Sequence, residues 1–390
     1  MTLREELEIL RGEPIQVFTG DPMDIPCVET SDSERLCKHP VVSVSMITYN
    51  HEPYIRQAIE GVMMQKTDFE FELVIGEDCS TDSTREICFE YQKRYPDKIR
   101  VLWCDHNLYR NPHPAGGNSR RNMAHCRGEF IALCEGDDYW IDPLKLQKQV
   151  DVMRKYPNVG FCFCGSKVFD QGSGDISRWY TDAYCGGVIP GEKFAHYTIF
   201  GKNPQLGCGD EGFVMTATVL FRKSCYGLLR ERFDLLNWRL ALGDLQLRAG
   251  MGLVSDVYYL LDDVSVYRRT STGAMSTNSV NIFRDASIVR LYYAINGLGY
   301  GAGDLPYGLR GRTIRSIATW MSARAKREKI LYGARVLLHW TILRIYGLSF
   351  LPQVFCYFTR SAGRVVDLWA RFLYSYKRCK RIQETYQAWR

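Results

Sequence analysis

What this chain lacks narrows its class first. No uninterrupted run of about 18 apolar residues occurs, so a helix crossing a membrane is not expected. The start, MTLREELEIL, is charged and has no continuous apolar stretch, so it does not read as a secretory leader. None of the 14 cysteines form a C-x2-C pair, and Cys162 and Cys164 are parted by one residue, so no zinc site is expected. Cys134, Cys162 and Cys164 lie inside apolar runs, where a thiol behaves as a small hydrophobe. Reduced, buried cysteines and a cytoplasmic location are expected. There is no internal repeat and no low-complexity tract.

What is present suits a ligand-handling globular enzyme. Of the 390 residues 46% are hydrophobic and 13% aromatic, which is ample for a large core and unlike a disordered chain. The net charge of +6 hides an asymmetry. Residues 310–390 hold 17 Lys+Arg against 3 Asp+Glu, a net of +14, which leaves residues 1–309 at −8. A basic end of this kind points to an anionic surface such as a membrane leaflet. Leu337 to Leu343 and Phe350 to Phe358 are apolar but are interrupted or followed by Arg344 and Gln353. That pattern suits an amphipathic helix lying on the inner face of the plasma membrane, or equally a helical subdomain packed on the main one. No nucleic-acid partner is expected.

Hydrophobic periodicity organises the chain into an extension (1–40), a regular α/β region (41–276) and a helical, basic C-terminal region (277–390). Pro14, Pro22, Pro26 and Pro40 break up the extension. Strands are expected at 41–47, 71–75, 99–103 and 130–134, with helices between most of them. Starts about 30 residues apart imply βαβ units and a mostly parallel sheet sandwiched by helices. Ser83 and Glu86 have capping-box spacing. Further on, 159–169, 213–222 and 258–267 read as extended, and 233–248 as a helix.

Ligands of parallel sheets sit beyond the carboxyl ends of the strands, and four polar clusters fall near such ends. Glu135-Gly136-Asp137-Asp138 crowds three carboxylates into one turn, which makes sense around a hard divalent cation. A solvated helix cap is the plainer alternative. Glu77 and Asp78 precede Ser80, Thr81 and Asp82, which suit capping, and could accept hydrogen bonds from a nucleobase or ribose. Arg121, in Asn118-Ser119-Arg120-Arg121-Asn122, could pair with a diphosphate, or belong to an exposed basic helix face. Asp244 follows Gly243 in an amphipathic stretch; spacing alone would leave it a surface residue.

Together these segments resemble the family 2 glycosyltransferases, an inverting group with the GT-A fold, from about Val41 to Ser276. Val44-Ser45-Met46-Ile47-Thr48-Tyr49-Asn50 looks like the opening strand and T-Y-N turn of that family. Glu77-Asp78-Cys79-Ser80-Thr81-Asp82-Ser83-Thr84 is similar to its D-D-x-S-x-D-x-T loop, with Glu for the first Asp. Gly128 to Asp138 resembles its G-E-Y-I-x-x-L-D-x-D-D segment, and Tyr267-Arg268 its Y-R dipeptide. The resemblance implies a nucleoside-diphosphate-sugar donor, a UDP-sugar first among them, a glycan or lipid-linked acceptor, and Mg²⁺ or Mn²⁺. It implies donor contacts at Thr48, Tyr49, Glu77, Asp78, Arg121, Asp137 and Arg268. Metal ligands would be Asp138, Asp137 and Glu135, and Asp244 the catalytic base. Many relatives carry a His about two residues after the Y-R dipeptide; Arg269-Thr270-Ser271 stands here instead.

Two other readings compete. A sugar nucleotidyltransferase would carry a Gly- and Arg-rich loop after strand one, where Asn50-His51-Glu52-Pro53 stands. A non-catalytic scaffold that kept the fold is the reading favoured by the missing His.

Overall fold

The computed structural model describes residues 3–11, 14–179, 186–200, 214–240, 243–271 and 279–299. The apolar C-terminal segments discussed above lie outside these residues. Among the described residues no helix is long and apolar enough to cross a membrane.

The four expected strands are β2 (Val42–Thr48), β3 (Phe71–Glu77), β4 (Ile99–Trp103) and β5 (Phe130–Leu133), after a short β1 (Val28–Thr30). They form a parallel block in the order β4-β3-β2-β5. Three helices follow their strands: α2 (Ile55–Met63), α3 (Thr84–Arg94) and α4 (Asn118–His125), after α1 (Leu3–Arg11). Next come β6 (Tyr139–Trp140), α5 (Lys145–Lys155) and β7 (Val159–Asp170). The remainder is β8 (Ile176–Trp179), β9 (Gly187–Ile189), α6 (Gly191–Phe200), β10 (Leu220–Arg222), α7 (Lys223–Arg232), α8 (Gly243–Met251), β11 (Asp256–Arg269) and α9 (Ser279–Asn296). The whole sheet runs β1-β4-β3-β2-β5-β10-β7-β11-β6, with β8 on β7 and β9 on β11. Its second half is mixed: β10 runs antiparallel to both β5 and β7, while β11 is parallel to β7.

Apolar side chains of α2, α3 and α5 bury one face of the sheet, and those of α1, α4 and α6 to α9 bury the other. Both faces of β2 are therefore covered, although its Val-Ser-Val-Ser pattern looks half-exposed. Val42, Val44 and Met46 enter the apolar side. Ser43 donates to Glu72 at 2.6 Å and Ser45 accepts from Asn122 at 2.8 Å on the other. Glu72 is wholly buried and tolerable only because Arg127 (2.6 Å) and Arg100 (3.3 Å) neutralise it. Arg100 also binds Glu29 of β1, which ties the N-terminal segment to the sheet edge.

Two glycines let the chain pass where a Cβ has no room. At Gly128 a Cβ would lie 2.5 Å from the Ser43 backbone nitrogen, so only glycine brings β5 in beside β2. Gly61 packs α2 against the Trp140 backbone in the same way, at 2.9 Å.

Three local expectations need correction. The capping box at Ser83 and Glu86 does not form; Asp82 Oδ1 instead accepts from the Thr84 N–H at 3.0 Å. The expected strand at 213–222 is regular only over Leu220–Arg222, after a turn of 3₁₀ helix at Thr216–Thr218. The expected helix at 233–248 is broken. Asp234–Asn237 is a 3₁₀ turn, Trp238 bridges Val17 in extended form, and α8 begins at Gly243. Asp244 thus sits in the first turn of a helix and not in its middle.

Lys145, directly after the acidic turn and β6, is fully buried, 4.1 Å above the Trp140 ring and 2.8 Å from Gln149 Oε1. Desolvation pulls its ammonium down to about 8. Below pH 8 the lysine is charged in both states, so folding bears the full burial cost, on the order of 1–3 kcal/mol. That cost fades as pH rises from about 8 to about 10.5. Lys145→Met should therefore raise unfolding free energy at pH 7 by about 1 kcal/mol. In urea titrations across pH, the advantage should vanish above about pH 10.5.

Candidate active site

The ends of β2, β3 and β5 bring three of the sequence motifs into contact, and a network of hydrogen bonds joins the first two. Asn50 Oδ1 accepts from the Thr81 N–H at 2.8 Å, and the Asn50 N–H donates to Ser80 Oγ at 3.0 Å. The His51 N–H donates to Thr84 Oγ1, and the Glu52 N–H to Asp82 Oδ2. Asn50 and Cys79 adopt left-handed backbone angles (φ 54° and 60°), uncommon away from glycine. Much of the T-Y-N and E-D-x-S-x-D-x-T character is thus a latch between two loops. It shapes the site's floor.

The acidic turn runs on from β5. The Gly136 N–H donates to the Ile47 carbonyl at 3.0 Å, holding the turn against the end of β2. A Cβ at Gly136 would meet Thr48 Oγ1 at 2.7 Å and His51 Nδ1 at 2.8 Å. Both atoms are buried and have no hydrogen-bond partner among the described residues. His51 Nε2 lies 3.9 Å from Asp137 Oδ2, so the imidazole stands beside the turn. Desolvation lowers its basicity, against the pull of Asp137 and Asp82.

The three carboxylates burden one another. Asp138 is 2% exposed, and burial together with Asp137 and Glu135 pushes its pKa well above the ordinary value. Glu135 is pushed up to about 8 by desolvation, then by Asp137 and Asp244. Tyr267 is raised to about 12 by burial and then by the charges of Asp138, Glu135 and Asp137. Carboxyl groups are concentrated here beyond what the protein's cations neutralise, so Glu135 and Asp138 are biased toward holding their protons. That is the condition under which a divalent cation is welcome.

The expected ligand set needs qualifying on this point. Among the described residues no group of three or more His, Cys, Asp or Glu forms a ready-made metal cage. One or two of these carboxylates, completed by a ligand's phosphates, is the arrangement the turn can offer.

Arg268 holds the turn from the far end of β11. Its N–H donates to Asp138 Oδ1 at 2.9 Å, its Nε to the Asp137 carbonyl at 2.9 Å, and its Nη2 to Gln57 at 2.7 Å. The guanidinium lies between the rings of Tyr54, Tyr139 and Phe169, at 4.8, 5.1 and 5.8 Å. It acts as a buttress. Arg121, expected to meet a diphosphate, is wholly buried beneath the strand ends and donates to the Glu77 and Leu102 carbonyls and Asn118 Oδ1. It belongs to the scaffold because α4 turns it into the protein.

Glu77 is likewise engaged, by Arg85 at 2.6 Å and the Ser80 N–H. Asp78 accepts from the Leu108 and Tyr109 N–H groups at 2.7 and 3.1 Å, fixing the 105–110 loop over β3. Asp244 and Tyr49 complete the set. The charge of Asp244 contributes to raising Glu135, though 109 residues separate them in sequence. Tyr49 is half-buried at the end of β2. His51 and Gln57 were missed from sequence. The clue to His51 was its place one residue after the T-Y-N turn.

Residues 43–226 match the domain described as glycosyl transferase family 2. Bacillus subtilis TuaG, named as a teichuronic acid biosynthesis glycosyltransferase, is 30% identical over 51% of this chain and 71% of its own length. The chain belongs to glycosyltransferase family 2. Its α/β sheet, sandwiched by helices, is the GT-A fold, and it is a glycosyltransferase. The transferase is also 41% identical to an uncharacterised protein of Mycobacterium tuberculosis over 76% of this chain and 78% of that one. The crystal structure of S. aureus TarS 1-349 is similar over 81% of this chain and 82% of that chain, at 15% identity and a TM-score of 0.49.

If Arg268 is a buttress for the transferase's acidic turn, Arg268→Lys loses the fork and the ring stacking together. Unfolding free energy should fall by about 2 kcal/mol, read by chemical denaturation with no ligand present. An unchanged value would return Arg268 to the role of a donor contact.

Proposed function

We propose that the transferase moves a sugar from a nucleoside diphosphate, a UDP-sugar first among candidates, to an acceptor hydroxyl with inversion. The observation that carries this reading is the acidic turn itself, held against the end of β2 by the Gly136 N–H and gripped by Arg268 of β11, with the charge of Asp244 on α8 adding to the burden on Glu135. Donor contacts would come from Thr48 and Tyr49 at the end of β2 and from Asp137. Asp78, pinned under the 105–110 loop, would shape the nucleoside pocket, with Glu77, Arg121 and Arg268 acting through the loops they hold.

Asp138 would hold Mg²⁺ or Mn²⁺, with Asp137 and Glu135 beside it. The buried, mutually repelling carboxylates fit such an ion, which when bound neutralises charge growing on the leaving diphosphate. The chain's own step is a proton transfer. Asp244 takes the acceptor's hydroxyl proton as its oxygen bonds to the anomeric carbon and the carbon–diphosphate bond breaks. One displacement inverts the configuration, unlike the double displacement of retaining hydrolases.

The naming of TuaG for teichuronic acid synthesis supports a surface glycan as product class, with a glycan or lipid-linked acceptor. Work at the inner face of the plasma membrane, with the basic C-terminal region against anionic lipid, would fit such an acceptor.

A panel of UDP-glucose, UDP-N-acetylglucosamine and GDP-mannose with MnCl₂, following nucleoside diphosphate release, tests the reading. One donor should be turned over, and Asp138→Ala should abolish release. Asp244→Asn should cut turnover by about 100-fold or more while nucleotide binding persists. No release from any donor would favour a non-catalytic scaffold.

A further inference from the structure

Arg248 is a charge that the proposed mechanism does not use. It lies one turn after Asp244 on α8 and is 5% exposed. Its Nη1 is 3.2 Å from Asp244 Oδ2 and donates to the Val214 carbonyl at 2.9 Å. Val214 precedes β10 and belongs to another part of the chain, so the guanidinium is tied at once to the helix and to a neighbouring segment. Burying an arginine costs several kcal/mol unless its partners repay it, and a hydrophobic residue of similar size often packs as well. The Arg248 side chain is 6% exposed and that of Asp244 23%, so it is the buried guanidinium that has to be accounted for.

We propose that Arg248 is a positioning residue. Anchored on the Val214 carbonyl, it grips one oxygen of Asp244 and turns the carboxylate toward the acceptor's place. Two features of the geometry support this. The donor fork of a guanidinium is planar and rigid, so fixing it on a backbone carbonyl also fixes the direction in which it holds a carboxylate. Asp244 stands at the start of α8, where its backbone is anchored but its side chain could otherwise swing between rotamers. With Oδ2 held, Oδ1 is the oxygen assigned to the incoming proton. A base set in this way acts by orientation, and misplacing it by about 1 Å can cost on the order of 100-fold in rate.

The inference rests on Asp244 being the base, and the experiment separates the two. Arg248→Met and Arg248→Lys are compared with the parent for turnover of the best donor in the panel, for UDP and GDP binding by calorimetry with MnCl₂, and for melting temperature. Arg248→Met should keep its melting temperature and nucleotide affinity, hold KM within about 3-fold, and lose about 10- to 100-fold in kcat. Arg248→Lys returns the charge without the fork and should recover part of that kcat. In the Asp244→Asn background, Arg248→Met should cause no further loss. Unchanged kcat in Arg248→Met overturns the proposal. So does a fall in kcat matched by equal losses in affinity and melting temperature, which marks a purely structural pair. Should Arg248→Met not fold, Arg248→Lys decides: lower kcat at constant KM and affinity supports the role, and parental kcat or weakened binding ends it. Full turnover in Asp244→Asn would instead remove Asp244 as the base.

Discussion

The site depends on one constraint: three carboxylates must be held together at the end of a buried strand. Left alone they would repel and the turn would open. The restraint comes from Arg268 on β11, whose backbone and side chain bind Asp138 and the Asp137 carbonyl, while three aromatic rings and Gln57 fix the guanidinium. The Gly136 N–H adds a bond to β2. The carboxyl groups are thus kept together against their repulsion, which raises Glu135 and Asp138 toward their protonated forms.

Other parts of the fold serve the same end. Gly128 brings β5 alongside β2, and Asn50, Ser80, Asp82 and Thr84 lock the two loops that form the site's floor. Beneath the strand ends, Arg121 donates to the Glu77 and Leu102 carbonyls, at the expense of leaving its own Nε and Nη1 without hydrogen-bond partners among the described residues. Buried polar groups, Asn118, Arg121 and Asn122 among them, concentrate under these strand ends. The apolar clusters on the two faces of the sheet supply the stability that offsets this expense.

Several motif residues turn out to serve the scaffold. Glu77, Arg121 and Arg268 are each engaged by protein partners, although their residue types suit ligand binding equally well. A carboxylate or guanidinium at a strand end can face the ligand or the loop beside it. One position along the chain, or one turn of a helix, decides which. His51 illustrates the converse: an unremarked residue whose backbone path carries its imidazole to Asp137.

The α/β class, the parallel block of four strands, the acidic turn and the order of the family's motifs were legible in the sequence by itself. Each depends on local pattern: apolar runs of strand length, helical periodicity between them, and short polar clusters where they end. Only tertiary structure decided that 233–248 breaks so that Asp244 opens α8, and that Arg248 pairs with it from the Val214 carbonyl. It also decided that Arg121 points inward and that Arg268 is spent on the turn. These depend on residues far apart in the chain meeting at one point, and on which side of a strand or helix each then faces. Composition and spacing carry no record of such long-range contacts, because a charged side chain is written identically in the sequence whether it binds a ligand or a carbonyl.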